Sequence, residues 1–281
     1  IANTLGNIGI IHEKQNKYLK AIEYYSESLK INEEIGNKFN LASIYGNIGL
    51  IYDYQGNYDK AIEFLSKSLK ISEELDNLLL SSNALINIGS IYANQGNYEY
   101  GIEYYSKALK IKKELGHQLG VSAALGNIGV IYYRQKNNKL AMEYILRALK
   151  IYQDLNNTPG IARSFNNIGS IYDQQGNDEL ALRNYLKSLK LFEALGDNKN
   201  ISNSLHVIGA FYFKNNKTEK AILLAEKGLA ISQKIGVVEI IRNNSELLYK
   251  CYQKKGIYKK SLQMYKLYND TNDSLQINET E

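Results

Sequence analysis

Three residue sets in this 281-residue chain could carry chemistry: the histidines, a single cysteine and a ladder of asparagines. His12, His117 and His206 are far apart, and no pair has the i, i+3 or i+4 spacing of a metal site on a helix. Lone Cys251 excludes a disulfide framework and a cysteine-based zinc site, and leaves the redox compartment open. Gly6-Asn7-Ile8-Gly9 could pass for a glycine-rich phosphate or RNA loop. It lies inside a helical apolar pattern, however, so its amides are committed to helical hydrogen bonds. No catalytic constellation, metal site or cofactor site is expected. The asparagines remain: Asn7, Asn47, Asn87, Asn127 and Asn167 recur every 40 residues. Asparagine is a mediocre helix former with no core value, so its recurrence needs a reason. A side-chain amide both donates and accepts, and can pair with the main chain of a peptide whatever its sequence.

The elements that position this ladder follow from the same period. Gly9, Gly49, Gly89, Gly129, Gly169 and Gly209 keep the 40-residue step without insertion, as do Tyr52 to Tyr252 and Leu29 to Leu229. Such self-similarity marks a stacked repeat. Within a unit, Tyr45, Ile48, Gly49 and Tyr52 form one helical face, and Ala61, Ile62, Leu65 and Leu69 form a second. Each unit is therefore a pair of helices. Between them, Gln-Gly-Asn-Tyr at 55–58 and 95–98 offers a glycine for the left-handed residue that ends the first helix and Asn57 or Asn97 as N-cap of the second. Pro159 is expected at the first helical position behind Thr158 as cap. The interior glycines each cost about 1 kcal/mol against alanine, which close approach to Ala21, Ala61 and their equivalents must offset. The predicted units span 1–37, 38–77, 78–117, 118–157, 158–197 and 198–237. A more polar capping unit at 238–271 and a tail or linker at 272–281 complete the array.

Composition agrees. One proline among 281 residues argues against an irregular enzyme fold, and 24 tyrosines against 6 phenylalanines reflect one unit copied many times. The net charge of +5 is spread thinly, without the clustered Lys and Arg of a nucleic-acid footprint. No stretch reaches the roughly 20 apolar residues of a membrane span. The Glu63/Lys67, Glu103/Lys107 and Glu143/Arg147 pairs, with Lys70, Lys110, Lys150 and Lys190, read as a wet outer face.

Leu5, Ile8, Gly9, Ala21, Tyr25 and Leu29, with tyrosine at the His12 position in later units, resemble the tetratricopeptide repeat over essentially the whole chain. The resemblance implies an all-α, right-handed superhelix (an α-solenoid) of seven antiparallel helix hairpins, with a groove lined by the first helices. The unit is longer than the family's usual 34 residues, as in kinesin light chains and related scaffolds. The column Ile35, Leu75, Leu115, Leu155, Leu195 and Ile235 predicts that the extension is buried. Tyr265-Lys266-Leu267-Tyr268, Asp273-Ser274-Leu275 and Glu279 resemble the junction that follows such arrays in bacterial sensor histidine kinases. That likeness implies a sensory region, extracytoplasmic if the likeness holds and cytoplasmic otherwise. The expectation is also that more chain precedes Ile1.

In this frame His12 replaces a core tyrosine, His117 lies in a turn and His206 faces the groove. The expected groove residues are Asn47, Tyr54, Asn83, Asn87, Asn94, Asn127, Tyr133, Arg134, Arg163, Asn166, Asn167, Gln174, His206, Phe213 and Lys214. This polar and aromatic mixture of both charge signs suits a peptide or protein ligand better than a lipid or bare anion. Two roles for the ladder stay open: holding a ligand main chain, as groove asparagines do in lengthened repeats, or bonding the neighbouring repeat to fix the pitch. The function reading is a monomeric, non-catalytic binding module of a signalling protein. The alternatives are a cytoplasmic scaffold and a self-associating structural array.

Overall fold

The computed structural model describes residues 1–15 and 17–280, with side chains through residue 273. Ser274, Leu275 and Glu279 of the junction segment therefore have side chains outside the described residues. Two compact units divide the chain at residue 131. The first holds α1 (Ala2–Lys14), α2 (Tyr18–Glu34), α3 (Lys38–Tyr54), α4 (Tyr58–Glu74), α5 (Leu78–Asn94), α6 (Tyr98–Glu114) and most of α7 (Gln118–Arg134). The second holds α8 (Asn138–Asp154), α9 (Thr158–Gln174), α10 (Asp178–Leu195), α11 (Asn198–Lys214), α12 (Thr218–Ile235), α13 (Val238–Lys254) and α14 (Tyr258–Thr280). The fold is all-α: no strand occurs among the described residues, and consecutive helices pack as hairpins. The final helix runs through 272–280 without a break at the expected tail.

The turns are built from the residues the spacing singled out. Gly56 takes φ +73° after α3, and the Asn57 amide reaches back to the Tyr52 carbonyl at 2.9 Å, closing the helix. Lys136 and Asn216 adopt the same left-handed backbone without being glycine. Asn57 caps α4 by accepting from the Lys60 amide at 3.3 Å, whereas Asn97 makes no side-chain cap. Between hairpins, Asn37, Asn77, Asn157 and Asp197 cap the following helices. Thr158 is thus not the cap expected of it. Asn157 accepts from the Gly160 amide at 2.8 Å, which leaves Pro159 as the second helical residue. His117 performs the same service with Nδ1, accepting from the Gly120 amide at 2.9 Å.

The core lies mainly between the second helix of one hairpin and the first helix of the next. In residues 1–131, Ala21 and Tyr25 of α2 pack with Ile44, Ile48 and Ile51 of α3, and Ala61 and Leu65 of α4 with Ile88 and Ile91 of α5. In residues 132–281, α8 meets α9, α10 meets α11, and α12 meets α13 around the buried Cys251, whose thiol burial pushes up to about 11. Interior glycines close the hairpins that carry them; in the last one Tyr249 stands at that position. A Cβ on Gly49 would sit 2.7 Å from Leu65 Cγ and 3.2 Å from the Ala61 carbonyl, and one on Gly169 would sit 2.7 Å from Tyr185 Cδ1 and 3.2 Å from the Ala181 carbonyl. The backbone of the small-residue column is the contact.

Two expectations are corrected. Tyr52 and Tyr92, read as core, are half-buried: Tyr52 stacks on Phe64 and Tyr92 on Tyr104 at 5.5 Å, with Lys60 over Tyr52. The column expected to bury the helix extension is exposed, from 38% at Leu75 to 64% at Ile35, with only Ile235 half-buried. Leu75, Leu115 and Leu155 are C-cap residues, where the chain already turns away from the helix face. The buried position lies three residues earlier and holds Asn32, Ser72, Lys112, Tyr152, Phe192 and Ser232. Its diverse residue types hid it from a pattern search.

What fixes this column is the residue eight positions on, in the next hairpin. A Cβ on Gly120 would sit 2.7 Å from Lys112 Cδ, and one on Gly160 only 2.3 Å from Tyr152 Cδ1. Ser72 and Ser232 are instead followed by Leu80 and Ile240. Large with small, or small with large, conserves volume at each joint. Asn32 and Asn40 are hydrogen-bonded at 3.2 Å. Lys112 is 2% exposed, and its ammonium escapes along the space above Gly120 to donate to Asn83 Oδ1 at 2.8 Å.

Gly169→Ala should destabilise by about 1–3 kcal/mol through overpacking, although alanine is the better helix former; a rise in Tm in thermal melts would refute the close-approach account. Gly160→Leu should destabilise by at least as much, and Tyr152→Ser in the same chain, which copies the Ser72/Leu80 pair, should recover part of the loss. A coupling of about 1–3 kcal/mol in the double-mutant cycle is the expected measurement. Burial holds the Lys112 amine below its usual 10.5. Its desolvation cost is therefore fully present below the folded-state pKa and is relieved as pH climbs from there toward 10.5. Lys112→Met should melt no lower than the parent at pH 7, with any advantage shrinking by pH 10.

Candidate peptide-binding face

In residues 1–131 the asparagine rungs stand on the first helices of successive hairpins, held in phase by the 40-residue period and the caps at Asn37 and Asn77. Asn7 is exposed, and Asn47, Asn87 and Asn127 are half-buried. The side chains of Asn7, Asn87 and Asn127 have no hydrogen-bond partner among the described residues. Asn47 differs in lying close to the Tyr25 hydroxyl, whose pKa it works to lower. That hydroxyl donates to Glu13 Oε2 at 2.7 Å, and burial followed by this carboxylate pushes the Tyr25 pKa up. Asn7 and Asn47 border one pocket. Tyr54 is 60% exposed and stacks on Tyr18 with ring centres 6.1 Å apart, and its hydroxyl pKa is raised by burial, then by Glu13 and Asp53. Asn83 is exposed and accepts from Lys112, while Asn94 is exposed at the end of α5.

In residues 132–281 the face is more strongly organised by charge. Lys214 Nζ meets Asp173 Oδ1 at 2.5 Å and the Asp173 carbonyl at 3.3 Å. Tyr133 lies against this pair: burial and then Asp173 raise its pKa, and Lys214 opposes them. Tyr185 donates to Ser170 Oγ at 3.3 Å and is pushed up to about 12, chiefly by burial. Lys254 Nζ sits 5.2 Å above the Phe213 ring. Arg134, Arg163 and Gln174 are exposed, and Asn166 and Asn167 half-buried. His206 does not offer a free ring to the groove. It is half-buried, its Nδ1 is sealed from solvent without a hydrogen bond among the described residues, and burial lowers its pKa against a weaker opposing pull from Glu246.

Several contributors escaped the sequence reading. Lys112 reaches this face from a second helix, and its signal was the glycine eight residues later, repeated at Tyr152 and Gly160. Asp53, which burial holds above the usual carboxylate range, and Glu13 occupy the position that Asp173 holds in the second unit. They could have been found by extending the Asp173 column by period. The Glu63/Lys67, Glu103/Lys107 and Glu143/Arg147 pairs lie at 2.6, 2.7 and 3.6 Å on exposed side chains, and Lys70, Lys110, Lys150 and Lys190 are exposed. Among the described residues no cluster of His, Cys, Asp and Glu is placed to hold a metal ion, and no helix is long and apolar enough to cross a membrane.

Comparison with solved structures places this architecture. The apo form of RapI superposes with a TM-score of 0.76 at 16% identity, covering 98% of each chain. The Rap conjugation gene regulator of plasmid pLS20, in complex with the Phr* peptide, gives 0.72 at 17% identity over 95% of this chain and 72% of that one. A Signal Transduction ATPase with Numerous Domains from Pyrococcus horikoshii, which carries a tetratricopeptide repeat sensor, gives 0.72 at 20% identity over 98% of this chain and 44% of that one. At these identities the likeness is one of fold. No curated protein matches the chain in sequence. The sequence model of the tetratricopeptide repeat matches residues 1–74, 80–154 and 160–234, and with the 40-residue hairpins, the interior glycines and the small-residue column in place, the chain belongs to the tetratricopeptide repeat family.

Proposed function

We propose that this chain is a non-catalytic peptide-binding module that receives its ligand on the first-helix face, as the sensory region of a signalling protein. The observation that carries the reading is the state of the ladder: Asn87 and Asn127 present half-buried amides with no partner among the described residues. Had these asparagines served to set the pitch, each would bond a neighbouring repeat. Among the described residues, Asn7, Asn87 and Asn127 bond none. Their polar atoms stay open to solvent, so a ligand main chain that supplies a donor and an acceptor can take the place of solvent there. Two of the structural neighbours support the assignment: one is a complex with a peptide and another carries a tetratricopeptide repeat sensor. The Tyr133, Asp173 and Lys214 group, with Arg163 and Phe213, supplies charge and aromatic surface for ligand side chains.

The test is selection from a displayed random-peptide library, followed by fluorescence anisotropy of the enriched peptides. Asn87→Ala combined with Asn127→Ala should weaken them at least tenfold, about 1.4 kcal/mol or more, with helicity and Tm retained. Undiminished affinity in the double variant would remove the ladder from the binding site.

A further inference from the structure

Between the first two hairpins, α1, α2 and α3 enclose a pocket of about 260 Å³. Gly6, Ile10, Ile44 and Tyr25 line it with apolar surface, and Asn7 and Asn47, two rungs of the ladder, stand at its edge. No charged side chain lines it. Most of its polar wall is already engaged. Ser28 Oγ donates to the Ala2 carbonyl at 2.8 Å, Asn40 Nδ2 to Asn3 Oδ1 at 2.7 Å, and Tyr25 to Glu13.

Gly6 separates this pocket from a packing accident. A Cβ on Gly9 would run within 2.6 Å of Tyr25 Cε1, so Gly9 is required by the hairpin. A Cβ on Gly6 would meet only Ser28 Oγ, at an ordinary 3.7 Å. Nothing steric demands glycine there, yet glycine weakens a helix interior. Its effect is to keep the space above it open.

Resting on the peptide reading above, we propose that this pocket is an anchor subsite for one uncharged side chain, leucine- to tyrosine-sized, of a peptide whose main chain is held by Asn7 and Asn47. A charged side chain would be desolvated there with no counter-ion, because no charged residue lines the pocket and the carboxylate of Glu13 accepts from Tyr25. An apolar one replaces water over the Ile10, Ile44 and Tyr25 surface and asks for no hydrogen bond. The amide of Asn7, which has no partner in the protein, is left for the ligand main chain.

Titration of the labelled protein with N-acetyl-leucinamide, N-acetyl-tyrosinamide, N-acetyl-aspartamide and N-acetyl-lysinamide tests this, read from the amide resonances of Gly6, Asn7 and Asn47. The uncharged probes should produce saturable shifts and bind at least tenfold more tightly than the charged ones. Gly6→Leu should abolish those shifts, and Gly6→Ala, the smaller change should leucine fail to fold, should weaken them severalfold. For a peptide from the displayed library, Gly6→Leu or Gly6→Ala should lower affinity by the same factors. Absence of saturable shifts, equal binding of charged probes, or unchanged binding in the Gly6 variants overturns the subsite. If these results occur while Asn87→Ala with Asn127→Ala still weakens peptides, the subsite fails and the peptide reading stands. If the probes bind here but the selected peptides ignore both sets of variants, the peptide reading fails and the anchor role falls with it.

Discussion

A backbone contact between two helices sets the dimensions of everything else in this protein. Where Gly49 and Gly169 face Ala61 and Ala181, the first helix comes close enough that a single added carbon would strike the carbonyl of the second. Each hairpin is thereby a thin, rigid plate with apolar surface on both sides. Neither side can be buried within the plate, so each must be covered by a neighbour. The core clusters that join α2 to α3, α4 to α5 and α8 to α9 follow from that requirement. Glycine's helix penalty is accepted at these positions because the alternative is loss of the interface.

Stacking plates of equal thickness at a constant period has a functional consequence. Any position on the first helix that is not needed for packing recurs in line with its equivalents, so a single residue type in the unit becomes a ladder. The asparagines exploit this, and so do the variable positions beside them, which supply Tyr54 and Asn83 in one unit and Tyr133, Arg163 and Lys214 in the other. Repetition fixes the asparagine at one position of the first helix, and variation around it makes the neighbouring positions differ from repeat to repeat. The Gly6 position is glycine again at Gly46 and Gly126 but holds Ile86, Asn166 and His206 in other repeats, and the half-buried His206 ring, whose Nδ1 has no hydrogen bond among the described residues, is one outcome of filling it.

The joints between plates obey a different rule. The buried second-helix position holds asparagine, serine, lysine, tyrosine and phenylalanine in turn, and no hydrophobicity pattern detects such a column. Its constraint is pairwise volume with a residue eight positions later: Tyr152 lies over Gly160, and Lys112 over Gly120. The same principle explains why the leucines at 75, 115 and 155 proved exposed. They read as the apolar end of a helix, but the chain has already begun its turn there, and the residue facing the next plate lies three positions back.

The period, the helix pairs, the left-handed turn residues and most caps were legible in the sequence, because each depends on a residue's own conformational preferences or on contacts repeated seven times over. Thr158 misled, since Asn157 and Thr158 are both competent caps and only the helix phase, set by the hairpin below, selects between them. Which residues stand on the first helices was also legible from helical spacing, but the state of each side chain was not. That Asn47 lies close to Tyr25 while Asn87 and Asn127 have no partner among the described residues, that Lys214 is bridged to Asp173, and that Lys112 arrives from the opposite helix are facts about partners distant in sequence. Sequence determined which residues face which way, because orientation follows from the local period. Only the tertiary structure decided which of them are already satisfied, because a hydrogen bond or a filled volume depends on the shape of two chain segments at once.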